Sequence, residues 1–170
     1  MQRSYDVVII GGGVIGSSIA YHLSANPGFT GRIAVVERDP TYAASSSSLS
    51  TSAIRQQFAT PANIRMSEGR RHPWLRVDDL GIASYGPEKE GWFDGPALLQ
   101  AFKRKARAQG VEYVAGTVTG LEMAGAGQVG AVLLAGGDRL AAGTVVNAAG
   151  PWSGGIGRMA GLDVPVVPLK

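Results

Sequence analysis

The amino-acid sequence predicts an α/β fold of the Rossmann type, with a central parallel sheet and an antiparallel β-meander. Two apolar runs, Val7–Ile10 and Ile33–Val36, flank a glycine-rich turn and a helical pattern. A second helical pattern at 95–108 leads into another short predicted strand at 111–114. Three further segments are separated by glycine turns, as antiparallel strands are. These predicted meander strands are residues 117–123, 129–134 and 139–141.

The first strand runs directly into Gly11-Gly12-Gly13-Val14-Ile15-Gly16, which fits the pattern G-x-G-x-x-G. Gly11 permits the tight turn, Gly13 lets the backbone approach a pyrophosphate, and Gly16 lets the helix pack closely on the strand. The helix predicted from Val14 to Ala25 directs its unpaired N–H groups and the positive end of its dipole at that phosphate. A tight turn without a ligand would also need glycines. The helix positions predicted to face the core are Ile15, Ile19, Ala20 and Leu23.

Glu37 closes the second predicted strand, twenty-one positions after Gly16. A carboxylate at this place can accept hydrogen bonds from a ribose hydroxyl, so strand, turn, helix, strand and acid together predict dinucleotide binding. Glu37 favours an unphosphorylated 2′-hydroxyl, although Arg38 follows it directly. The motif alone does not choose between NAD and FAD.

Two more segments are predicted to reach the same edge of the sheet. The serine-rich run 43–52 has the composition of a flexible linker, but it leaves the carboxyl end of the second strand and is therefore predicted to be a functional loop. A buried strand at 144–147 runs into Ala148-Ala149-Gly150, a second place where backbone can approach a dinucleotide. Trp152 would cover the site or fill a corner.

Composition excludes several classes of site. The chain has 170 residues, which predicts one domain, and its net charge of +3 is dispersed, so neither nucleic-acid nor membrane binding is indicated. It has no cysteine and two histidines, which excludes disulfides, thiolate metal sites and a histidine-rich metal centre. Because the first strand begins almost at Met1 and no apolar run is long enough to span a membrane, we expect a cytoplasmic protein without a targeting peptide.

Several side chains are predicted to have structural roles only. His22 is placed at the edge of the first helix, without a partner nearby in sequence. The helix at 95–108 is predicted to bury Leu98, Leu99, Phe102 and Ala106. Its basic residues are predicted to form a solvated face, and they are Lys103, Arg104, Lys105 and Arg107.

The ordered set of motifs resembles the FAD-dependent oxidoreductases of the D-amino-acid-oxidase-like superfamily, among them sarcosine oxidase, glycine oxidase and dimethylglycine dehydrogenase. The matching pieces cover nearly the whole chain. They are Val7 to Gly16, Ala20 to Leu23, Val36 to Arg38, the serine loop through Ile54-Arg55, Gly95 to Gly110, Gly116 to Gly120 and Val145 to Trp152.

The resemblance implies FAD as the cofactor and a role for each matching segment. It implies that Gly11, Gly13, Val14, Ile15 and Gly16 hold the pyrophosphate, and that Glu37 and Arg38 hold the ribose and the adenine side. It further implies that Ser45, Ser46, Ser47, Ser50 and Thr51 line the phosphate and flavin, and that Val118 meets the adenine. Backbone at Ala148, Ala149 and Gly150 would close over the dinucleotide together with Trp152. Arg55 is the catalytic candidate, since some relatives carry a basic residue there close to flavin and substrate. No metal is implied.

The chain also departs from these relatives. They are longer, with a substrate-binding sheet inserted before the helix at Gly95 and continued beyond Pro168. We therefore expect residues 1–170 to be an FAD-binding domain with a deletion or missing insertion near 69–72, a missing C-terminal part and a largely absent substrate domain.

The resemblance implies oxidation of a C–N bond in a small-molecule amine or amino acid by hydride transfer to flavin. The electron acceptor stays unknown. Two alternatives remain open. A non-catalytic flavin-binding or assembly-type module is one, and an NAD-linked dehydrogenase domain is the other.

Overall fold

The structure, a computed structural model, describes residues 2–50, 52–54, 91–125 and 127–166. The chain divides into two compact units, one of residues 1–50 with 95–170 and one of residues 51–94. The strands are β1 (Gln2–Ile10), β2 (Ile33–Glu37), β3 (Ala53–Ile54), β4 (Gly91–Trp92), β5 (Glu112–Ala115), β6 (Val118–Gly125), β7 (Gln128–Leu134) and β8 (Arg139–Asn147). The helices are α1 (Val14–Ser24), α2 (Gly95–Ala108) and α3 (Ser153–Met159), and a 3₁₀ turn spans Gly150–Trp152.

The larger unit is built on a six-stranded sheet with the order β5-β2-β1-β8-β7-β6. β1 pairs in parallel with β2 and β8, and β2 pairs in parallel with β5. β7 pairs antiparallel with both β8 and β6. The predicted Rossmann-like fold with a parallel sheet and an antiparallel meander is therefore confirmed, and the carboxyl ends of four parallel strands meet at one edge.

β8 belongs to both parts of the sheet, which the sequence did not predict. A meander strand at 139–141 and a separate buried strand from 144 were expected, and the structure has one strand, Arg139–Asn147. Its first residues pair with β7, and it also pairs with β1 from Arg139 to Asn147. Gly143 does not break the strand. A Cβ there would lie 3.0 Å from the Asp6 carbonyl oxygen, so the missing side chain permits a close approach to β1.

Apolar side chains form a cluster on each face of the sheet. Val8 and Ile10 belong to one cluster, while Val7 and Ile9 belong to the other, as strand alternation requires. Ala20 of α1 and Ala106 of α2 pack into the second cluster. Leu99 and Ala106 are buried as predicted.

One predicted core residue and one predicted surface cation, Ile15 and Lys103, are placed differently. Ile15 is 63% exposed, because it lies on the first turn of α1 beyond the edge of the sheet. Lys103 lies 4.4 Å from the centre of the Tyr42 ring, and Arg107 lies 5.0 Å from that of Tyr113. Arg104, Lys105 and Arg107 are exposed, as the predicted solvated face requires, whereas Lys103 is half-buried against the Tyr42 ring.

His22 is exposed on α1, and its ring contacts Tyr21 at 4.8 Å between centroids. This contact agrees with the structural role predicted for it. In the smaller unit, β3 pairs antiparallel with β4, and the Phe93 N–H donates to the Ser52 carbonyl at 3.0 Å. The join near 69–72 lies outside the described residues.

Candidate functional site

The glycine turn is fixed by backbone contacts at the carboxyl ends of three strands. The Gly11 N–H donates to the Val36 carbonyl at 2.9 Å, and the Ala148 N–H donates to the Ile10 carbonyl at 2.8 Å. Gly11 has a φ of +102°, and a Cβ there would lie 2.4 Å from the Ala148 carbonyl oxygen. A Cβ at Gly16 would lie 1.9 Å from the Gly11 carbonyl oxygen. The protein itself therefore requires glycine at both positions.

Gly13 is different, because nothing in the protein requires a glycine there. Its φ is −61°, and a Cβ would meet no protein atom within 4 Å. Gly13 lines an open cleft at the amino terminus of α1. The missing side chain leaves room for a group that approaches the backbone from the cleft, as a pyrophosphate does in a dinucleotide site.

Glu37 connects the glycine turn to the loop after β2. Its Oε2 accepts the Gly12 N–H at 2.7 Å, and its Oε1 accepts the Asp39 N–H at 2.8 Å. Each carboxylate oxygen can accept a second hydrogen bond, and Glu37 lines the cleft. The residue can therefore hold the turn and receive a ligand hydroxyl at the same time.

The loop after β2 folds into two hydrogen-bonded turns. The Asp39 carboxylate accepts the Thr41 N–H at 3.0 Å and the Ala43 N–H at 3.1 Å. The hydrogen bond from the Thr41 side chain, followed by that from its backbone, holds the pKa of Asp39 below its usual range. The Ser45 Oγ accepts a hydrogen bond from the Ser48 N–H at 3.2 Å. The described serine segment therefore forms a local hydrogen-bonded turn, and its functional role stays a prediction.

Tyr42 and Lys103 form a buried contact behind this loop. Tyr42 is 4% exposed, and burial, with Glu37 nearby, raises its pKa to about 12. Burial and the like charge of Arg107 lower the pKa of Lys103, although Glu37 opposes them. The Lys103 ammonium lies 4.4 Å from the centre of the Tyr42 ring, close enough to Glu37 for the two charges to interact.

The cleft has a volume of about 590 Å³, which is within the range of small-molecule and cofactor sites. Arg38 and Trp152 stand on its two sides and contact each other, with the guanidinium carbon 4.1 Å from the centre of the indole ring. Most residues that the sequence predicted for the site line this cleft. They are Gly11, Gly13, Val14, Ile15, Glu37, Arg38, Ser45, Ser46, Ser47, Val118, Ala148, Ala149, Gly150 and Trp152.

Four predicted residues are not among those lining the cleft. Gly16 is buried behind the turn, where it packs α1 on Gly11, and Ser50 is outside the lining. Thr51 and Arg55 lie outside the described residues, so their predicted roles stay predictions.

The sequence missed several residues of the lining. Tyr42 has a φ of 59°, and this conformation had no signal in the sequence beyond the preceding Asp39-Pro40-Thr41 turn. The helix α3 was not predicted at all, although it supplies one wall. The missed residues include Asp39, Tyr42, Gly116, Thr117, Gly154, Gly155, Arg158 and Val166.

The cleft presents backbone amides, two carboxylates and two guanidinium groups among apolar lining residues, the charged groups being those of Glu37, Asp39, Arg38 and Arg158. Within the described ranges, no three His, Asp or Glu side chains lie together as a metal site would need. None of the helices in the described part of the chain is long and apolar enough to cross a membrane. The arrangement suits a long ligand that combines a phosphate, a sugar hydroxyl and flat rings.

Comparison with known proteins gives consistent matches. The model of the DAO family, described as FAD dependent oxidoreductase, matches residues 6–86 and 65–170. FAD-dependent oxidoreductase domain-containing protein 1 of Xenopus laevis is 32% identical over 240 residues, which cover 92% of this chain and 48% of that protein. The chain thus spans about half the length of this curated relative.

Two solved structures share the fold. L-proline dehydrogenase from P. horikoshii superposes with a TM-score of 0.78 at 21% identity, over 95% of this chain and 57% of that one. Glycine oxidase from Geobacillus kaustophilus superposes with a TM-score of 0.71 at 20% identity, over 95% of this chain and 60% of that one.

Proposed function

Because this chain belongs to the DAO family of FAD-dependent oxidoreductases and uses FAD as its cofactor, we propose that it holds FAD in the cleft and oxidises an amine or amino acid at the C–N bond. The observation that carries the placement is the open space at Gly13 beside the Glu37 carboxylate. A pyrophosphate against Gly13 and a ribose at Glu37 use both features together.

Each segment of the cleft has a part in this placement. The amides at Gly13, Val14 and Ile15 bind the pyrophosphate at the amino terminus of α1, where the helix dipole favours an anion. Glu37 accepts hydrogen bonds from the adenosine ribose. Arg38 and Val118 contact the adenine side.

The remaining lining residues extend along the dinucleotide. Ser45, Ser46 and Ser47 provide hydroxyls and amides from the structured loop, while Ala148, Ala149 and Gly150 provide backbone from the other side. Gly150 has a φ of +54°, which a side chain would strain. Trp152 covers the dinucleotide through its contact with Arg38.

The reaction proposed is the oxidation of an amine to an imine. Bound flavin would supply the chemistry by accepting a hydride from the carbon that bears the nitrogen; the nitrogen would release a proton to solvent, and water would hydrolyse the resulting imine. The chain's own share is to orient FAD and keep it in the cleft. Arg55 is proposed to bind a substrate carboxylate, since a guanidinium can hold one with two parallel hydrogen bonds. The names of the two superposed structures, a proline dehydrogenase and a glycine oxidase, support the substrate class.

A second candidate is a non-catalytic flavin-binding module. It is favoured by one observation, that the chain covers 48% of its Xenopus relative. That alignment extends over 240 residues although the chain has 170, which supports an internal deletion such as the one proposed near 69–72. The family match favours FAD over the NAD-linked alternative.

Anaerobic reduction of the bound flavin separates the two candidates. The purified chain reconstituted with FAD is mixed with N-methyl amino acids, D-amino acids, L-proline and glycine, and the flavin absorbance near 450 nm is followed. An enzyme loses this absorbance with a substrate, and Arg55→Met slows the loss at least about tenfold. Arg104→Met, at an exposed position on α2, is the matched control and retains the wild-type rate. Flavin that stays oxidised with the whole panel would leave the binding module as the function.

A further inference from the structure

Ser17 is a buried hydroxyl that the proposed site does not use directly. It is fully buried on α1, and its Oγ donates to the Gly12 carbonyl at 2.8 Å. The Tyr113 hydroxyl of β5 lies 3.1 Å from the same Oγ and donates to it. Because a carbonyl can only accept, the single Ser17 proton goes to Gly12 and the Tyr113 proton goes to Ser17. The hydrogen bonds therefore have one direction, from Tyr113 through Ser17 to Gly12.

This chain of bonds controls a peptide group that faces the cleft. The Gly12 carbonyl and the Gly13 N–H belong to one planar peptide, and in a trans peptide they point in opposite directions. No cis peptide occurs among the described residues. With its carbonyl held by buried Ser17, this peptide directs the Gly13 N–H away from the core, and Gly13 lines the cleft.

Gly12 is held on its other side as well. Its N–H donates to Glu37 Oε2 at 2.7 Å, so both peptide groups of this residue are fixed by side chains. The Glu37 bond holds the Gly11–Gly12 peptide, whereas the Ser17 bond holds the carbonyl of the Gly12–Gly13 peptide. A flexible peptide there would lose part of the preorganisation that a phosphate site needs.

We propose that Ser17 and Tyr113 are positioning residues that orient the Gly12–Gly13 peptide, so that the Gly13 N–H is presented to the pyrophosphate of the cofactor. The inference rests on the proposed placement of FAD in the cleft. It adds two side chains that never contact the cofactor to the set that determines its affinity.

The surroundings of Tyr113 support this role. Arg107 and Lys103 lie 5.0 Å and 5.7 Å from the centre of its ring, which restrains the ring on the edge strand β5. Burial raises the pKa of Tyr113, so its hydroxyl stays protonated and remains a donor at neutral pH.

ADP and adenosine distinguish this role from a general structural one. Calorimetric titration of the flavin-free chain with ADP should show about tenfold weaker binding for Ser17→Ala and about threefold weaker binding for Tyr113→Phe. Adenosine, which has no pyrophosphate, should bind both variants as it binds the wild type. The double variant should bind ADP no more weakly than Ser17→Ala, because Tyr113 acts through Ser17.

Ser24→Ala is the matched control. Ser24 also lies on α1 and donates to a backbone carbonyl, that of Ala20 at 2.7 Å, but it is a part of the last turn. Its loss should leave ADP affinity unchanged. Tyr113→Phe keeps the Gly12 bond and the packing of the ring, so it tests the proposal even where Ser17→Ala folds poorly.

The outcomes separate this inference from the proposed function. A wild-type chain that binds neither FAD nor ADP would overturn both. If the wild type binds ADP and both Tyr113→Phe and folded Ser17→Ala bind it equally tightly, only the positioning role of Ser17 and Tyr113 is overturned. Equal losses for ADP and adenosine would also overturn it, because a structural defect would weaken both ligands.

Discussion

At the scale of single residues, the three glycines of the turn are required for two different reasons. Gly11 and Gly16 have neighbouring backbone atoms where a Cβ would be, at 2.4 Å and 1.9 Å. A Cβ at Gly13 would instead meet no protein atom within 4 Å. The fold therefore requires the first two glycines, whereas the third matters only for the proposed ligand. This difference can be measured by substituting each residue separately.

Gly13→Ala should keep the fold and lose the cofactor. The change costs less than about 1 kcal/mol in the free energy of unfolding, as expected for a helix N-cap position without a clash. Its methyl group occupies the space proposed for the pyrophosphate, so FAD affinity should fall at least about a hundredfold. Urea denaturation and titration of the flavin-free chain measure the two effects.

Gly16→Ala is the matched variant with the opposite expectation. Its methyl group would collide with the Gly11 carbonyl, so the free energy of unfolding should fall by about 1–3 kcal/mol or more. Wild-type stability in Gly16→Ala, or wild-type FAD affinity in Gly13→Ala, would contradict this division of roles.

The raised pKa of Tyr42 predicts that the free energy of unfolding falls at alkaline pH. Its ordinary pKa of 10.0 is raised to about 12 by burial and by the charges of Glu37, Tyr113 and Asp39, while Arg107 acts against them. Between these values the unfolded chain gives up the tyrosine proton and the folded chain keeps it. The free energy of unfolding therefore falls as pH rises from 10 to 12.

Tyr42→Phe removes this contribution. The urea midpoint of the wild type relative to that of the variant should be constant below pH 9 and should fall as the pH is raised to 11. Parallel pH profiles for the two proteins would show that Tyr42 is not the group responsible.

At the scale of elements, β8 places the residues that follow it, Ala148, Ala149 and Gly150, in the lining of the cleft. It pairs with β1 from Arg139 to Asn147, so the turn that follows it ends beside the Gly11 turn. The sequence predicted the Gly11 turn well, because glycine spacing and apolar runs are local signals. It predicted two strands in place of β8, because a glycine such as Gly143 indicates a strand end unless the close approach of the neighbouring strand is known.

Gly143→Val tests the close approach of β8 to β1. A Cβ there would lie 3.0 Å from the Asp6 carbonyl oxygen, so we expect a loss of about 1–3 kcal/mol in the free energy of unfolding. Gly125→Val is the matched control, since Gly125 also lies in a strand and a Cβ there would meet nothing within 4 Å. Denaturant titrations should show the loss for Gly143→Val only, and equal losses would contradict the argument.

At the scale of the whole molecule, one side of the cleft is formed by residues that the sequence predicts and the other by residues that it does not. The turn, Glu37 and the serine loop come from one continuous βαβ unit, whose spacing the sequence shows. Arg158 and Val166 reach the cleft only because α3 folds back after β8, and no local pattern indicates that path. Sequence reasoning therefore identified the lining residues on the βαβ side of the cleft and missed those contributed by α3 and the segment after it.

FAD binding should couple this cleft to the stability of the larger unit. A ligand that binds only the folded state stabilises it by about 2.7 kcal/mol at a concentration one hundred times its Kd. For a chain of this size, that corresponds to a rise in Tm of roughly 5–10 °C. Differential scanning fluorimetry, or calorimetry where flavin fluorescence interferes, measures the shift.

Glu37→Ala should lose most of this shift and also lower the Tm of the flavin-free chain. The change removes a ribose acceptor, which weakens FAD binding by about 1.5–3 kcal/mol, and it leaves the Gly12 and Asp39 N–H groups without their acceptor. Glu122→Ala is the control, because this exposed carboxylate pairs with Arg139 away from the cleft and should retain the full FAD shift. If Glu37→Ala retains it too, the cofactor does not reach Glu37, and the proposed position of its ribose is wrong.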